Sequence, residues 1–289
     1  MNDEPAENIS GGVAGGGTFV EFDSSDGGSR AEAVVDRLGD LYWQKTYGGQ
    51  DAFTCLVRTI LSQNTSDKAS QPAHDALVER YGGAGDLAAS LADADREELA
   101  ATISSAGLYN QKSEVIIDVA NRIVGEYGSA DGFDTFVKGG GPNEVRDTLL
   151  EMSGVGPKTA DCVLLFSGGR SGVFPVDTHV HRIARRMGLA PPDADHESVR
   201  VHLERDVPSE KCGFGHTAMI QFGREYCRAR KPACLDDPDA CPLGGLCEQV
   251  GVYPETGDVV DPADAFEAEE TERGSRRRSS VSKPESKDD

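Results

Sequence analysis

No stretch of this 289-residue chain holds eighteen consecutive apolar residues, so no membrane-spanning helix is expected. Its first residues, MNDEPAENIS, have neither the basic patch nor the apolar core that directs export. The expectation is a soluble, cytoplasmic protein. Alternating apolar and polar residues never run for more than a few positions, which excludes a sheet of ordinary strands. Lysine is scarce: nine of the 29 basic residues, against 50 acidic ones, for a formal net charge of −21. Taken alone, that balance points away from a nucleic-acid partner. An acidic, lysine-poor surface also keeps a protein hydrated in a salt-rich cytoplasm, and on that halophilic reading the charge excludes nothing. The seven cysteines are odd in number and lack a secretory context, which favours thiols and metal ligation over a disulfide framework.

What is present is helical periodicity. Val34, Val35, Leu38 and Leu41 form one apolar stripe, Phe53, Leu56, Val57, Ile60 and Leu61 a second, and Val115, Ile116, Val119 and Ile123 a third. The fold class is therefore all-α, and the length suffices for two modest domains. Residues 1–29 carry seven glycines, and residues 254–289 hold acidic clusters and serines without periodicity; both ends read as disordered tails, at 1–29 and 251–289. Residues 143–166 read as helix, turn and helix, with Asn143 as the first cap and Ser153-Gly154-Val155-Gly156 as the turn. Such glycines allow positive dihedrals and a bare backbone, so Gly154, Val155 and Gly156 can offer amides to an anion without a cationic side chain.

Lys158 follows that turn, just after Pro157, in the first turn of the second helix. The helix dipole works against a cation there, which marks the lysine as a candidate for chemistry. Beyond eighteen intervening residues, Asp177 precedes the stripe Val180, Ile183, Ala184 and Met187, and so stands at an N-cap that would orient its carboxylate and keep it ionised. Cys227, Cys234, Cys241 and Cys247 fall within 21 residues, with six, six and five residues between them. Four thiols so close in a chain without an export signal point to one metal centre. Zinc sites usually pair cysteines at shorter gaps, and four thiolates also suit a [4Fe-4S] cluster. Between the first two, Arg228, Arg230 and Lys231 make a basic loop suited to phosphate. Cys55 and Cys162 read as core residues, while Gln63 and Asn64 end the second stripe as polar groups that could reach a ligand.

Taken in order, these motifs resemble the helix-hairpin-helix DNA glycosylases of the endonuclease III type, over most of residues 31–249. GVGPKTA is similar to that family's hairpin with its catalytic lysine, VDTHVHRIARRMGL to its catalytic aspartate segment, GLYNQKSEVI to another signature helix, and the four-cysteine tract to its iron-sulfur loop. The resemblance implies two helical domains flanking a DNA-binding cleft. One is a six-helix barrel-type domain over 48–170 that contains the hairpin; the other is an iron-sulfur domain from 30–47 and 171–250. It further implies a monomer, associated with the nucleoid, that extrudes a damaged base from double-stranded DNA. Asp177 would stabilise the sugar cation, and Lys158, with its pKa lowered, would attack as a neutral amine and cut abasic sites through a Schiff base. A potassium or sodium ion at the hairpin belongs to the same picture. Two departures stand out: the middle cysteine gap is six residues, LDDPDA, where the family usually has two, and Gln63 is followed by Asn64, either of which could fill the gap left by a flipped base. The alternatives are a monofunctional glycosylase for mismatched or alkylated bases, a non-catalytic DNA-binding scaffold, and a zinc protein unconnected with DNA.

Overall fold

The computed structural model describes residues 17–23, 28–83 and 85–265. Among the described residues the chain is built from α-helices, with two small antiparallel sheets of two strands each. No helix among them is long and apolar enough to cross a membrane. The chain divides into two compact units. The first comprises residues 17–23, 42–175 and 208–217, and the second residues 28–41, 176–207 and 218–265.

In the first unit, β1 (Thr18–Phe19) pairs with β2 (Lys45–Thr46), and eight helices follow: α2 (Ala52–Ser62), α3 (Asp67–Tyr81), α4 (Leu87–Ala92), α5 (Arg96–Thr102), α6 (Tyr109–Tyr127), α7 (Ala130–Gly139), α8 (Pro142–Leu150) and α9 (Pro157–Phe166). The stripes read from the sequence are their buried faces. Phe53, Leu56, Val57, Ile60 and Leu61 of α2 join Ile116, Val119 and Ile123 of α6, with Ala160, Val163 and Leu164 of α9, in one core. Asp51 caps α2 by accepting from Thr54 N–H at 2.7 Å, and Gly128, at a φ of 79°, closes α6 in the left-handed conformation. Arg170 spans the end of α7, donating to the carbonyls of Lys138 at 2.8 Å and Gly140 at 2.7 Å.

The hairpin differs from expectation in its cap. Asn143 lies inside α8, which is capped by Gly141 with Pro142 at its first position, because proline's fixed φ and missing N–H suit the helix start. The helix stops at Leu150. Between the two hairpin helices Arg146 Nε donates to Asp161 Oδ1 at 2.7 Å, with the Asp161 carboxylate only 2 % exposed.

The second unit holds α1 (Arg30–Gly39), capped by Ser29, then α10 (Thr178–Arg186), α11 (His196–Asp206) and the short α13 (Ala233–Asp236). The first six residues of α12 (Cys212–Glu225) belong to the first unit and the rest to the second. A hairpin of β3 (Val252–Tyr253) and β4 (Asp258–Val259) follows the last of the clustered cysteines. The unit boundaries depart from the sequence reading. Residues 42–47, 171–175 and 208–217 go with the hairpin unit, where Tyr47 Oη bonds Thr217 Oγ1 at 2.8 Å, packs edge-on against Phe166, and Gly172 N–H donates to Ser209 O at 2.8 Å. Of the tails, residues 1–16, 24–27 and 266–289 lie outside the described residues, but 17–23 and 251–265 are folded. The two-residue strands there are too short to leave a periodic signature.

Removing the Asp161 carboxylate would leave the Arg146 guanidinium without its buried counter-charge. Asp161→Ala is expected to destabilise the first unit by about 3 kcal/mol, measured by urea denaturation.

Candidate functional site

The hairpin turn rests on one glycine. Gly154 has a φ of 75°, and a Cβ there would lie 2.6 Å from Cγ1 of Val115, so both backbone and neighbour forbid a side chain. Gly156 has a different reason. It is the N-cap of α9 with extended backbone, φ −95° and ψ 175°, and a Cβ would meet nothing of the protein within 4 Å. The expectation of positive dihedrals thus holds for Gly154 and not for Gly156, whose bare backbone faces open space. Val155 sits in the core, and its N–H closes the turn on Met152 O at 3.1 Å. Lys158 occupies the second position of α9 and is half-buried. Burial pushes the wholly buried Cys55 thiol up to about 12, so Cys55 stays a neutral core residue; Cys162 is buried as well. Gln63 straps the turn: its Nε2 donates to Gly154 O at 3.1 Å and to Thr159 Oγ1 at 3.1 Å. Asn64, beside it, is exposed at a φ of 51°.

In the second unit Asp177 is the N-cap of α10, and its Oδ1 accepts from His179 N–H and Val180 N–H, both at 2.9 Å. Both cap bonds fall on one oxygen, which fixes the plane of the carboxylate. His179 and His181, two positions apart on α10, do not converge. His179 Nδ1 accepts from Arg182 Nη2 at 3.2 Å, whereas His181 donates to Ala194 O at 2.8 Å and stacks on His196 at 3.9 Å between ring centroids. Burial holds His181 below its ordinary pKa.

Two arginines of α10, one turn apart, grip the first clustered cysteine. Arg182 Nη2 donates to Cys227 O at 2.8 Å; Arg186, 4 % exposed, donates to Arg228 O at 2.7 Å and Ala229 O at 2.5 Å and lies 3.8 Å from Cys227 Sγ. Periodicity marked these arginines only as the polar positions of an amphipathic helix, because a buried cation on carbonyls has no local signature. Gly223 completes the packing, since a Cβ there would fall 2.5 Å from His179 Nδ1.

Cys227, Cys234, Cys241 and Cys247 line a single apolar pocket with Met187, Phe222 and Leu243. Val252, from the segment read as a tail, lines it as well. Burial pushes Cys247 up to about 12 and raises Cys234 and Cys241, so these thiols would ionise only against strong positive charge. Among the described residues no three of His, Cys, Asp and Glu converge closely enough to hold a single metal ion. Gln249 N–H already donates to Cys247 Sγ at 3.3 Å, a bond that suits a thiolate. Arg228, Arg230 and Lys231 are exposed beside the pocket, and Lys231 is paired with Asp236 of the acidic insertion at 3.0 Å.

Comparison with known proteins gives this arrangement its class. The model of the HhH-GPD superfamily base excision DNA repair proteins matches residues 57–209. Endonuclease III of Thermotoga maritima is 33% identical over 198 residues, 68% of this chain and 83% of that protein. Endonuclease III of Bacillus subtilis is 31% identical over 221 residues, 75% and 91% of the two chains. A solved structure of a trapped endonuclease III–DNA covalent intermediate matches with a TM-score of 0.58 at 28% identity, covering 70% of this chain and 86% of that one. The chain belongs to the HhH-GPD superfamily of base excision DNA repair proteins. Within it, the protein is a DNA glycosylase of the endonuclease III family, an enzyme that binds DNA.

The two glycines of the turn differ in what a side chain would cost. Gly154→Ala is expected to cost about 2 kcal/mol of stability, from left-handed strain and the Val115 contact, read as a lowered Tm. Gly156→Ala is expected to leave Tm unchanged, because a Cβ there meets no protein atom within 4 Å.

Proposed function

We propose that the enzyme is bifunctional, removing oxidised pyrimidines from duplex DNA and then cleaving the abasic strand, with Lys158 as nucleophile and Asp177 as the carboxylate that stabilises the sugar cation. The observation that carries this reading is the placement of Lys158 at the second position of α9, directly behind a hairpin turn shaped by Gly154. The amides at that helix end disfavour an ammonium, and an amine can attack only with its lone pair available. The endonuclease III structure trapped as a covalent intermediate with DNA supports an attached nucleophile in a relative.

The chemistry balances in two stages. As the bond from C1′ to the base breaks, its electron pair leaves with the base, which takes up a proton, and positive charge grows on the sugar. Asp177, its Oδ1 pinned by two amides, meets that charge as a preorganised anion. The Lys158 amine bonds to C1′, the ring opens to a Schiff base, and the C2′ proton becomes acidic. Its loss expels the 3′ phosphate oxygen, and water then releases the lysine.

Bare backbone at Gly154 and Gly156, the Gln63 and Asn64 side chains, and the exposed Arg228, Arg230 and Lys231 are the proposed DNA contacts; Val155, expected to join them, has its N–H committed to Met152 O. Lys231 would exchange Asp236 for a phosphate, a cheap step for an exposed ion pair. A potassium or sodium ion at the hairpin would share Gly154 O with the Gln63 amide, which leaves that carbonyl a second lone pair. Cys227, Cys234, Cys241 and Cys247 would hold a [4Fe-4S] cluster, since thiols ringing an apolar pocket without converging on one point suit a polynuclear core better than a single zinc ion. When bound, the cluster supplies the positive charge that keeps four buried thiolates together. The protein would act as a monomer on chromosomal DNA in the cytoplasm.

Lys158→Ala is expected to abolish borohydride-trapped adducts with DNA containing thymine glycol, while Asp177→Asn slows base release with the circular dichroism spectrum intact. Base release without any trapped adduct in the parent enzyme would mark a monofunctional glycosylase instead. The purified protein is expected to be brown with about four iron atoms per chain, and Cys241→Ala to lose the colour. A colourless, zinc-containing parent would sink the cluster assignment.

A further inference from the structure

Lys112 belongs to α6, and its amine bonds the end of α2 and the loop that follows it. It is 4 % exposed, and its Nζ donates to Leu61 O at 2.8 Å and to Thr65 Oγ1 at 2.7 Å. Leu61 lies in the last turn of α2, where the dipole favours a cation. An ammonium can only donate, so the Thr65 hydroxyl must accept from Lys112 and pass its own hydrogen to Gln63 O, 3.1 Å away. The bonds therefore run in one direction, from Lys112 through Thr65 to the backbone of Gln63.

The backbone around this relay is unusual. Three non-glycine residues have positive φ among the described residues, and two of them flank Lys112: Asn64 at 51° and Leu108 at 61°. Asn64 is the exposed residue between Gln63 and Thr65; Leu108, 54 % exposed, immediately precedes α6 with half-exposed Tyr109 next to it. The two loops lie close together, since a Cβ on Gly107 would stand in ordinary van der Waals contact with Thr65 Oγ1 at 3.5 Å and Asn64 O at 3.8 Å. Left-handed conformations at such residues persist only where the surroundings hold them; Asn64 is followed directly by Thr65, whose hydroxyl accepts from the buried Lys112 amine, and the Leu108 carbonyl accepts from the Lys112 backbone N–H at 3.0 Å. The far end of the same loop is strapped to the hairpin through Gln63 Nε2.

We propose that Lys112 is a positioning residue for base extrusion: through Thr65 it locks the Gln63–Asn64 loop and the Leu108–Tyr109 corner into the shape that enters duplex DNA. The proposal rests on the glycosylase and lyase reading above, and it deepens it by separating extrusion from bond chemistry. Lys112 touches no reacting atom. Losing it should impair the step that opens the duplex and spare the step in which Lys158 attacks an already accessible sugar.

The test uses Lys112→Met, which keeps the chain length and removes the donors; Thr65→Val, which breaks the relay but leaves the α2 carbonyl capped; and Lys112→Arg as the conservative rescue. Three readouts are compared for each folded variant: fluorescence of 2-aminopurine placed opposite an abasic site in duplex DNA, kcat and KM on a duplex lesion, and borohydride trapping on single-stranded abasic DNA. Lys112→Met and Thr65→Val should lower the fluorescence change and kcat on duplex by about tenfold or more, with single-strand trapping within about twofold of the parent. Lys112→Arg should recover part of the duplex signal. An equal fall on duplex and single strand, or no fall on either, overturns the proposal. A parent enzyme that never traps would sink the lyase reading alone, because the 2-aminopurine readout still reports whether Lys112 shapes the loop.

Discussion

The turn between α8 and α9 needs a residue without a side chain at position 154, and most of the proposed chemistry depends on that steric fact. A left-handed backbone pressed against Val115 lets the chain reverse within a few residues and sets the start of α9, and with it the direction in which Lys158 leaves the helix. Other contacts stiffen this geometry without creating it. The Arg146–Asp161 pair ties the two helices, and the Gln63 amide ties the turn to the end of α2. A nucleophile that must meet a single carbon of deoxyribose gains from such bracing, because small misplacements cost large factors in rate.

A second theme is where this acidic chain spends its few cations. With a net charge of −21, one would expect its basic side chains to be reserved for phosphate. Many instead hold backbone carbonyls inside the protein: Lys112 at the end of α2, Arg170 at the end of α7, and Arg182 and Arg186 on the loop of Cys227. Hydrogen bonds of this kind satisfy orphan carbonyls and place positive charge at the negative ends of helices. They also survive salt better than exposed ion pairs do. Cations committed to internal carbonyls in this way are withdrawn from the surface, where they would otherwise be available to phosphate.

The helix α10 concentrates the second unit's design. Its cap is the Asp177 carboxylate, and its next turns carry Arg182 and Arg186, which bind the strand of the first clustered cysteine. One element thus fixes both the proposed electrostatic catalyst and the wall of the thiol pocket. The folded segment after Cys247 closes that pocket with Val252, and Asp261 beyond it pairs with Arg185 of the same helix.

Much of this was legible in the sequence because it is encoded locally. The stripes of α2, α6 and α10, the proline and glycine of the hairpin, the capping role of Asp177 and the spacing of four cysteines each depend on residues a few positions apart, and their reading needs only the helical period and turn chemistry. Errors fell where local rules were ambiguous: Asn143 lost the cap to Gly141, and the short hairpin after residue 250 was read as a tail. What only the tertiary structure decided are the bonds between distant segments. Lys112 to Leu61, Gln63 to Gly154 and Arg186 to Ala229 join residues separated by 51, 91 and 43 positions. No periodicity reports such a pairing, because a buried cation on a carbonyl depends on which backbone the packing brings within reach of it, and that is settled only once the apolar faces have met.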